Sequence, residues 1–393
     1  MNFRRCAVIL SLLTVIFLPV RLSAQDQADS CSLQISLLTC SPGQELYSTF
    51  GHSAFRVKDM QSGIDIIFNY GTFDFYDPQF YSKFVLGKLL YFVSAERYEN
   101  FVYSYQLEGR GIIEQVLALS CSQKMQLFAA LRENLKEENK FYLYDFLFDN
   151  CSTRLRDMLQ QEGGAITFGN ILPAQSTTFR NLIHQYLNEG GQYWSKLGID
   201  LLLGARLDRQ ISSREAMFLP DYLKLGFDSA RTADQPLVHS TVQVQRTRFI
   251  PEKNPLTSPI VFTSILLLLL VVLSFSSSQR FNGFLKIFDT GFFLITGLVG
   301  LFLLFMWFGT AHVVCGNNFN LLWANPVNLV AAFLVQRHQQ KFKRFFRILS
   351  VWYGLVLIAW FFLPQEMNLG FLPLVLILFL RSWQRATLSR KNS

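Results

Sequence analysis

Charge is scarce in this chain: 16% of its residues are Asp, Glu, Lys or Arg, against 50% hydrophobic. That apolar share is at the top of the globular range and unevenly spread. Polar sequence fills roughly the first two-thirds and the apolar excess follows Pro259, so a soluble domain followed by a membrane domain fits better than one uniform core. Several chemical signatures are missing. There is no G-x-S-x-G elbow, no phosphate-binding glycine loop and no His-Glu-x-x-His helix, which removes the usual support for serine-elbow, nucleotide and zinc-peptidase chemistry. The six cysteines (Cys6, Cys31, Cys40, Cys121, Cys151 and Cys315) fall in no metal-ligand spacing, so no metal or cofactor is expected. The net charge of +8 tempts one toward nucleic acid, but Lys and Arg cluster where membrane topology would place them, and no nucleic-acid partner is expected.

What is present begins with a secretory signal over residues 1–24: Arg4 and Arg5, an apolar run from Cys6 to Val20, and Leu22-Ser23-Ala24 as a cleavage site. A transmembrane anchor is the competing reading. An exported domain over 25–250 follows, then a proline-rich linker over 251–259, a five-helix membrane domain over 260–383 and a basic cytoplasmic tail over 384–393. In an oxidising compartment Cys31 and Cys40 are close enough in sequence for a disulfide; the alternative is that both are small buried residues.

The exported domain reads as α+β. Strands are expected over Leu33–Thr39, Ser53–Val57, Ile64–Tyr70, Gly111–Leu119 and Val238–Val244, with a shorter one over Lys88–Val93. Helices are expected at Asp77–Leu86, Ala95–Tyr105, Ser120–Glu138, from Cys151, at Thr178–Asn188, at Tyr193–Leu203, and at Ser212–Phe218, the last ending before Pro220-Asp221. If Val57 faces Ile64 across the polar turn, antiparallel pairing puts His52 opposite Asn69 on one face.

Two stretches carry the chemistry. Asn150 or Asp149 can cap a helix beginning at Cys151, and a cysteine there meets unpaired N–H groups and the positive end of the dipole. Such placement lowers a thiol pKa from ~8.5 into the range ~3.5–7.5 and offers donors for an oxyanion. His52, beginning a strand after Gly51 and oriented by Asn69, can take the thiol proton and return it to a leaving group. Alone, each is more often an ordinary buried residue; the joint pattern carries the argument. Arg154 and Arg156 follow the cysteine and either hold a phosphate or make surface ion pairs. Tyr47 and Ser53 flank the histidine and are candidate substrate contacts. His184 and His239 stand isolated and read as structural or surface residues.

The segments Gly51-His52-Ser53-Ala54, Asn69-Tyr70-Gly71-Thr72-Phe73-Asp74-Phe75 and Phe148-Asp149-Asn150-Cys151-Ser152-Thr153-Arg154 resemble the exported domain of Lnb-type bacterial lipoprotein N-acyltransferases. That domain is similar in plan to circularly permuted papain-like enzymes, which include the lecithin–retinol acyltransferases. The resemblance continues through Asn320-Leu321-Leu322-Trp323-Ala324-Asn325-Pro326. It implies catalytic roles for His52 and Cys151 and a location in the bacterial inner membrane. It also implies a phospholipid acyl donor and a diacylated lipoprotein acceptor. In the retinol enzymes the position of Asn69 is a second histidine, a departure that leaves the third member open.

Five apolar runs fill the membrane half: Ile260–Phe275, Ile287–Phe308, Phe319–Val335, Ile348–Leu363 and Leu369–Trp383. Arg280 and Lys286 follow the first, five basic residues from Arg337 to Arg347 follow the third, and the tail is basic. The alternate loops carry no Lys or Arg, so the positive-inside rule puts them outside with the exported domain. The loop after the second run holds His312 and Asn317, a candidate lipid-headgroup site; a capped helix end is the alternative. The expected activity is acyl transfer from a phospholipid through a Cys151 thioester to the amine of a lipoprotein. A cell-wall cysteine amidase or peptidase, and a non-catalytic lipid transport or assembly factor, are the rivals.

Overall fold

Alternation in the first strand sorts its residues to two faces, and the computed structural model, which describes residues 31–233, 235–276, 279–337 and 339–387, covers both. In β1 (Leu33–Cys40), Leu33, Ile35 and Leu37 enter one core and Leu38 and Cys40 another. The signal segment and the last six residues lie outside the described residues. β2 (His52–Asp59), β3 (Ile64–Thr72), β4 (Leu90–Arg97), β5 (Ile112–Leu117), β6 (Phe141–Leu143) and β10 (Val238–Gln245) complete a seven-stranded antiparallel sheet. Its order is β10-β5-β1-β2-β3-β4-β6. The short β7 (Ile166–Thr167), β8 (Arg231–Thr232) and β9 (Gln235–Pro236) form a separate small sheet.

Helix α1 (Phe80–Leu86) lies between β3 and β4, and α2 (Tyr98–Leu107) covers one sheet face through Phe101. α3 (Cys121–Asn134), α4 (Cys151–Glu162) and α8 (Pro220–Ser229) cover the other, through Leu127, Leu131, Leu155, Leu159 and Phe227. α5 (Phe179–Glu189), α6 (Tyr193–Leu202) and α7 (Ser213–Ala216) build a second core beside it. The domain is α+β, as expected. The short α7 ends before Pro220, and Pro220 itself starts α8, where its fixed φ and missing N–H cost nothing. β4, however, runs on to Arg97, so helix α2 starts later than its aromatic content suggests.

The β2–β3 register differs from expectation. Val57 pairs with Ile66 and Asp59 with Ile64, two residues from the Val57–Ile64 pairing. The turn is shorter because the Asp59 carboxylate holds the Gln61 N–H and the Ser62 hydroxyl. A slip of two preserves side-chain parity, so His52 and Asn69 still share a face, now as diagonal neighbours.

Cys31 bonds to Cys121, not Cys40. β1 runs extended between Cys31 and Cys40, holding them roughly 30 Å apart, beyond any disulfide. Cys40 is buried and free.

The membrane half is a helical bundle. Among the described residues four segments are long and apolar enough to cross a membrane, Phe281–Phe308, Val313–Val335, Lys341–Phe362 and Leu369–Thr387, and the helix Pro259–Phe275 (α9) is shorter. The second helix, α10, starts earlier than its apolar run and extends over Gln279–Phe308. The third span is discontinuous: short 3-10 turns lead into a nine-residue helix, α11 (Val327–Val335). The non-α-helical stretch 318–326 is buried or half-buried in the bundle, with Asn320 and Ala324 fully enclosed. Asn328 donates to Thr296 Oγ1 and accepts from Tyr353, tying α10 and α11 to α12 (Gln339–Ala359). Asp289 is fully buried between Arg381 and Arg385 of α13 (Leu372–Thr387).

Both loops expected outside, 309–318 and 364–368, touch the exported domain, as does Asn320 just beyond the first. Asn318 Nδ2 donates to Leu201 O and Leu202 O, and Asn320 Nδ2 to Asp200 O. Gln365 Nε2 reaches Leu203 O and Asn368 Nδ2 reaches Asp200 Oδ2. Behind them Arg180, 1% exposed, pairs with Asp200 and Asp208, and His184 bonds Asp200 at 2.8 Å. His184 is therefore buried in this seam, whereas His239 lies on an exposed part of β10.

Candidate active site

Cys151 is the first residue of α4, and the cap before it is elaborate. Asn150 Oδ1 accepts from the N–H groups of Ser152 and Thr153, and Thr153 Oγ1 accepts from Asn150 N–H. Asn150 Nδ2 donates to Phe146 O and Phe218 O, clamping the turn from both sides. The Asn150 cap thus consumes two of the first three helix N–H groups. The N–H of Cys151 itself is the one it leaves, which narrows the expected oxyanion donors to that group.

The β2–β3 ladder starts at Phe55–Phe68, and β3 shifts register against β4 between Asn69 and Thr72. The two strands therefore part beside His52, and Cys151 occupies the opening. His52 and the Ser53 backbone lie near enough to the sulfur to act on its titration, and Ser152 Oγ lies 3.9 Å from it. Gly71, at φ +89°, forms one wall; a Cβ there would lie 3.5 Å from the Tyr144 ring and 3.9 Å from Cys151 Cβ. Gly51, at φ +79°, has no room for a side chain, because a Cβ would meet Cys40 O at 2.6 Å.

His52 Nε2 lies 3.1 Å from Asn69 Oδ1, and Asn69 Nδ2 donates to Glu96 Oε1 at 2.8 Å. Because Nδ2 is spent on Glu96, Oδ1 faces the histidine and can only accept. Nε2 must carry the proton, which leaves Nδ1 for the thiol. Burial works against a charged Cys151, yet the charge and hydrogen bond of His52 and the Ser53 N–H bring the thiol below its ordinary value. Burial likewise opposes protonated His52, but the sulfur and the Asn69 bond raise it. The two shifts together favour a thiolate–imidazolium pair. Neighbouring Cys40 behaves oppositely: burial pushes its thiol up to about 12.

Of the candidate residues, the structure brings together Cys151, His52, Asn69 and the backbone of Ser53. The Ser53 side chain is fully buried and accepts from Ser152 Oγ at 3.1 Å. Arg154 forks onto Asp149 at 2.6 and 2.8 Å and lies over the Tyr142 ring. Arg156 pairs with Asp157. Tyr47 is 67% exposed on the turn Leu46–Ser48. His312 and Asn317 belong to the seam: His312 Nε2 lies 3.0 Å from Phe84 O, and Asn317 O accepts from Ala205 N–H. Glu96 was not foreseeable, because the β3–β4 register that makes it a diagonal neighbour of Asn69 leaves no mark in the sequence. Gly71 was: a glycine inside a strand signals close approach. Among the described residues no group of His, Cys, Asp and Glu is arranged to hold a metal.

Comparison with protein families matches residues 22–185 to the Lnb N-terminal periplasmic domain and residues 251–393 to the Lnb transmembrane domain. No curated protein and no solved structure matches the chain. Both domains occur in one chain, in this order, on either side of the described seam. The protein is thus a multi-pass membrane protein of the Lnb type, with an exported α+β domain carried on a transmembrane bundle.

Proposed function

We propose that the protein is a cysteine-dependent acyltransferase acting at the outer face of the inner membrane, with a phospholipid as donor and a diacylglyceryl-cysteine lipoprotein as acceptor. The carrying observation is the partly exposed Cys151, at the start of its helix, whose thiol is brought below its ordinary value by an imidazole that Asn69 holds through Nε2. The Cys151 thiolate attacks the ester carbonyl, and the Cys151 N–H stabilises the oxyanion. Imidazolium His52 protonates the departing lysophospholipid oxygen, leaving an acyl thioester. Neutral His52 then takes the proton of the attacking lipoprotein amine. Collapse of the second tetrahedral intermediate forms the amide and expels Cys151 as thiolate.

Asn69 and Glu96 do not touch substrate; they hold the ring in the productive tautomer. The seam supports lipid substrates, since both outer loops of the bundle bind the exported domain directly. A wall amidase has no use for such an attachment. Mass spectrometry of lipoprotein N-termini with wild type and Cys151→Ala tests the reading. Loss of the N-acyl group, with a hydroxylamine-labile acyl adduct trapped on wild-type Cys151, is the expected result; unchanged acylation overturns it.

A further inference from the structure

Helix α1 carries its apolar residues outward. Tyr81, Phe84 and Val85 are exposed, as are Phe75 and Tyr76 just before it, and Tyr76 reaches 94%. Soluble surfaces rarely gather so many large apolar groups in about a dozen residues. The helix also has a fixed address. Leu86 O accepts from Ala311 N–H at 2.9 Å and Phe84 O contacts His312, in the loop that leaves the exposed apolar end of α10 at Phe308. α1 therefore sits where the second span leaves the bilayer. A second contact lies on α6, where Trp194 bonds Thr257 O and packs on Phe262 of the first membrane helix. Amphipathic aromatic rings at this depth match the interfacial belt of membrane proteins. Lys83, paired with Asp77, and exposed Lys88 are charges suited to headgroup level.

From α1 an unbroken series of rings leads inward. Phe84 stacks with Phe80 at 6.2 Å, Phe80 lies 5.8 Å from Phe73, and Phe73 lies 5.2 Å from Tyr91. Tyr91 stacks on Tyr144 at 4.3 Å, and Tyr144 lines the same glycine wall as Cys151. Tyr91 and Tyr144 are both partly accessible.

We propose that segment 73–86 is immersed in the outer leaflet and that a phospholipid acyl chain reaches Cys151 along this aromatic series. The occupant is a bilayer phospholipid, because the series starts beside the membrane spans and offers rings rather than charges to its guest. The path rests on the acyltransferase reading; the immersion does not.

The experiment places benzoylphenylalanine at Tyr81, at Phe84 and, as a control, at Met60. Met60 is 70% exposed but lies at the opposite end of β2 from His52. Each full-length protein is irradiated in vesicles of phosphatidylethanolamine and phosphatidylglycerol, in wild-type and Cys151→Ala backgrounds. Phospholipid adducts at 81 and 84, well above those at 60 and the same in both backgrounds, are expected. Equal adducts at the three positions overturn the immersion, and the Cys151→Ala arm keeps that result independent of any chemistry. For the path, Phe73→Ala and Tyr91→Ala are compared in thioester formation from vesicle phospholipid and from p-nitrophenyl acetate. A loss of about tenfold with the long-chain donor alone is expected, the size of one lost aromatic contact. An equal loss with both donors overturns the path, and absence of a Cys151 adduct with either donor in otherwise wild-type protein refutes the acyltransferase reading instead.

Discussion

At the scale of single residues, the thiol and the imidazole titrate as a pair, and this sets a pH profile. Thioester formation needs the thiolate and the protonated ring. The rate therefore rises as pH passes the lowered Cys151 value and falls as it passes the raised His52 value. Asn69→Ala removes a bond that raises His52. Its descending limb moves to lower pH, and the rate falls about 10- to 100-fold, as for a lost orienting partner. Glu96→Gln keeps a side chain that can still accept from Asn69 but removes a carboxylate that favours protonated His52, so its descending limb moves to lower pH by less than in Asn69→Ala. Measuring acyl-adduct rate against pH for the three proteins checks both statements. Gly51→Ala forces a left-handed backbone and a clash with Cys40 O, and is expected to destabilise the exported domain by about 1–3 kcal/mol in denaturant melts. His52 and Cys151 were legible as letters, since each begins an element with a recognisable signature, and Asn69 followed from the pairing of the hairpin. Glu96 and the Ser53 backbone were not, because the first depends on the β3–β4 register and the second on where β2 and β3 part.

Whole elements reveal another kind of legibility. Helix α4 was readable from its cap, yet the cap's cost was hidden: Asn150 consumes donors that the sequence seemed to leave for substrate. Asn150→Ala should lower stability by about 0.5–2 kcal/mol, as for a lost cap. It also strands Phe146 O and Phe218 O, so the acylation rate falls although no reacting atom is removed. Paired melts and rate measurements separate the two effects. Strand β1 was likewise readable, and its own straightness rules out the Cys31–Cys40 bridge. The bond to Cys121 closes a separation of 90 residues. Its removal by Cys31→Ser with Cys121→Ser should cost about 2–5 kcal/mol, seen as a lowered unfolding midpoint that reductant no longer affects. The two-residue slip of the hairpin shows why the predicted His52–Asn69 contact survived a wrong register: parity, not register, puts two side chains on one face.

For the molecule as a whole, topology was the most legible property, because charge bias needs no knowledge of packing. The loops free of Lys and Arg are the ones that meet the exported domain. The seam itself was invisible, since Asn318, Asn320 and Gln365 read as loop residues until their partners are known. Within the bundle, Asp289→Ala would leave Arg381 and Arg385 facing each other without their shared carboxylate. A loss of about 3–5 kcal/mol is expected from breaking such a buried pair, measurable as reduced thermal stability in detergent.

The last turn of α6 leaves carbonyls at Asp200, Leu201 and Leu202, and its neighbour Leu203, whose carbonyl accepts from Arg180, has room for a second donor. Amides of Asn318, Asn320 and Gln365, from segments more than a hundred residues downstream, complete them. During synthesis this helix reaches the outside before the groups that finish it exist. The exported half must therefore wait, open at one corner, until the third and fourth spans have inserted, so assembly of the bundle is a step in the maturation of the site.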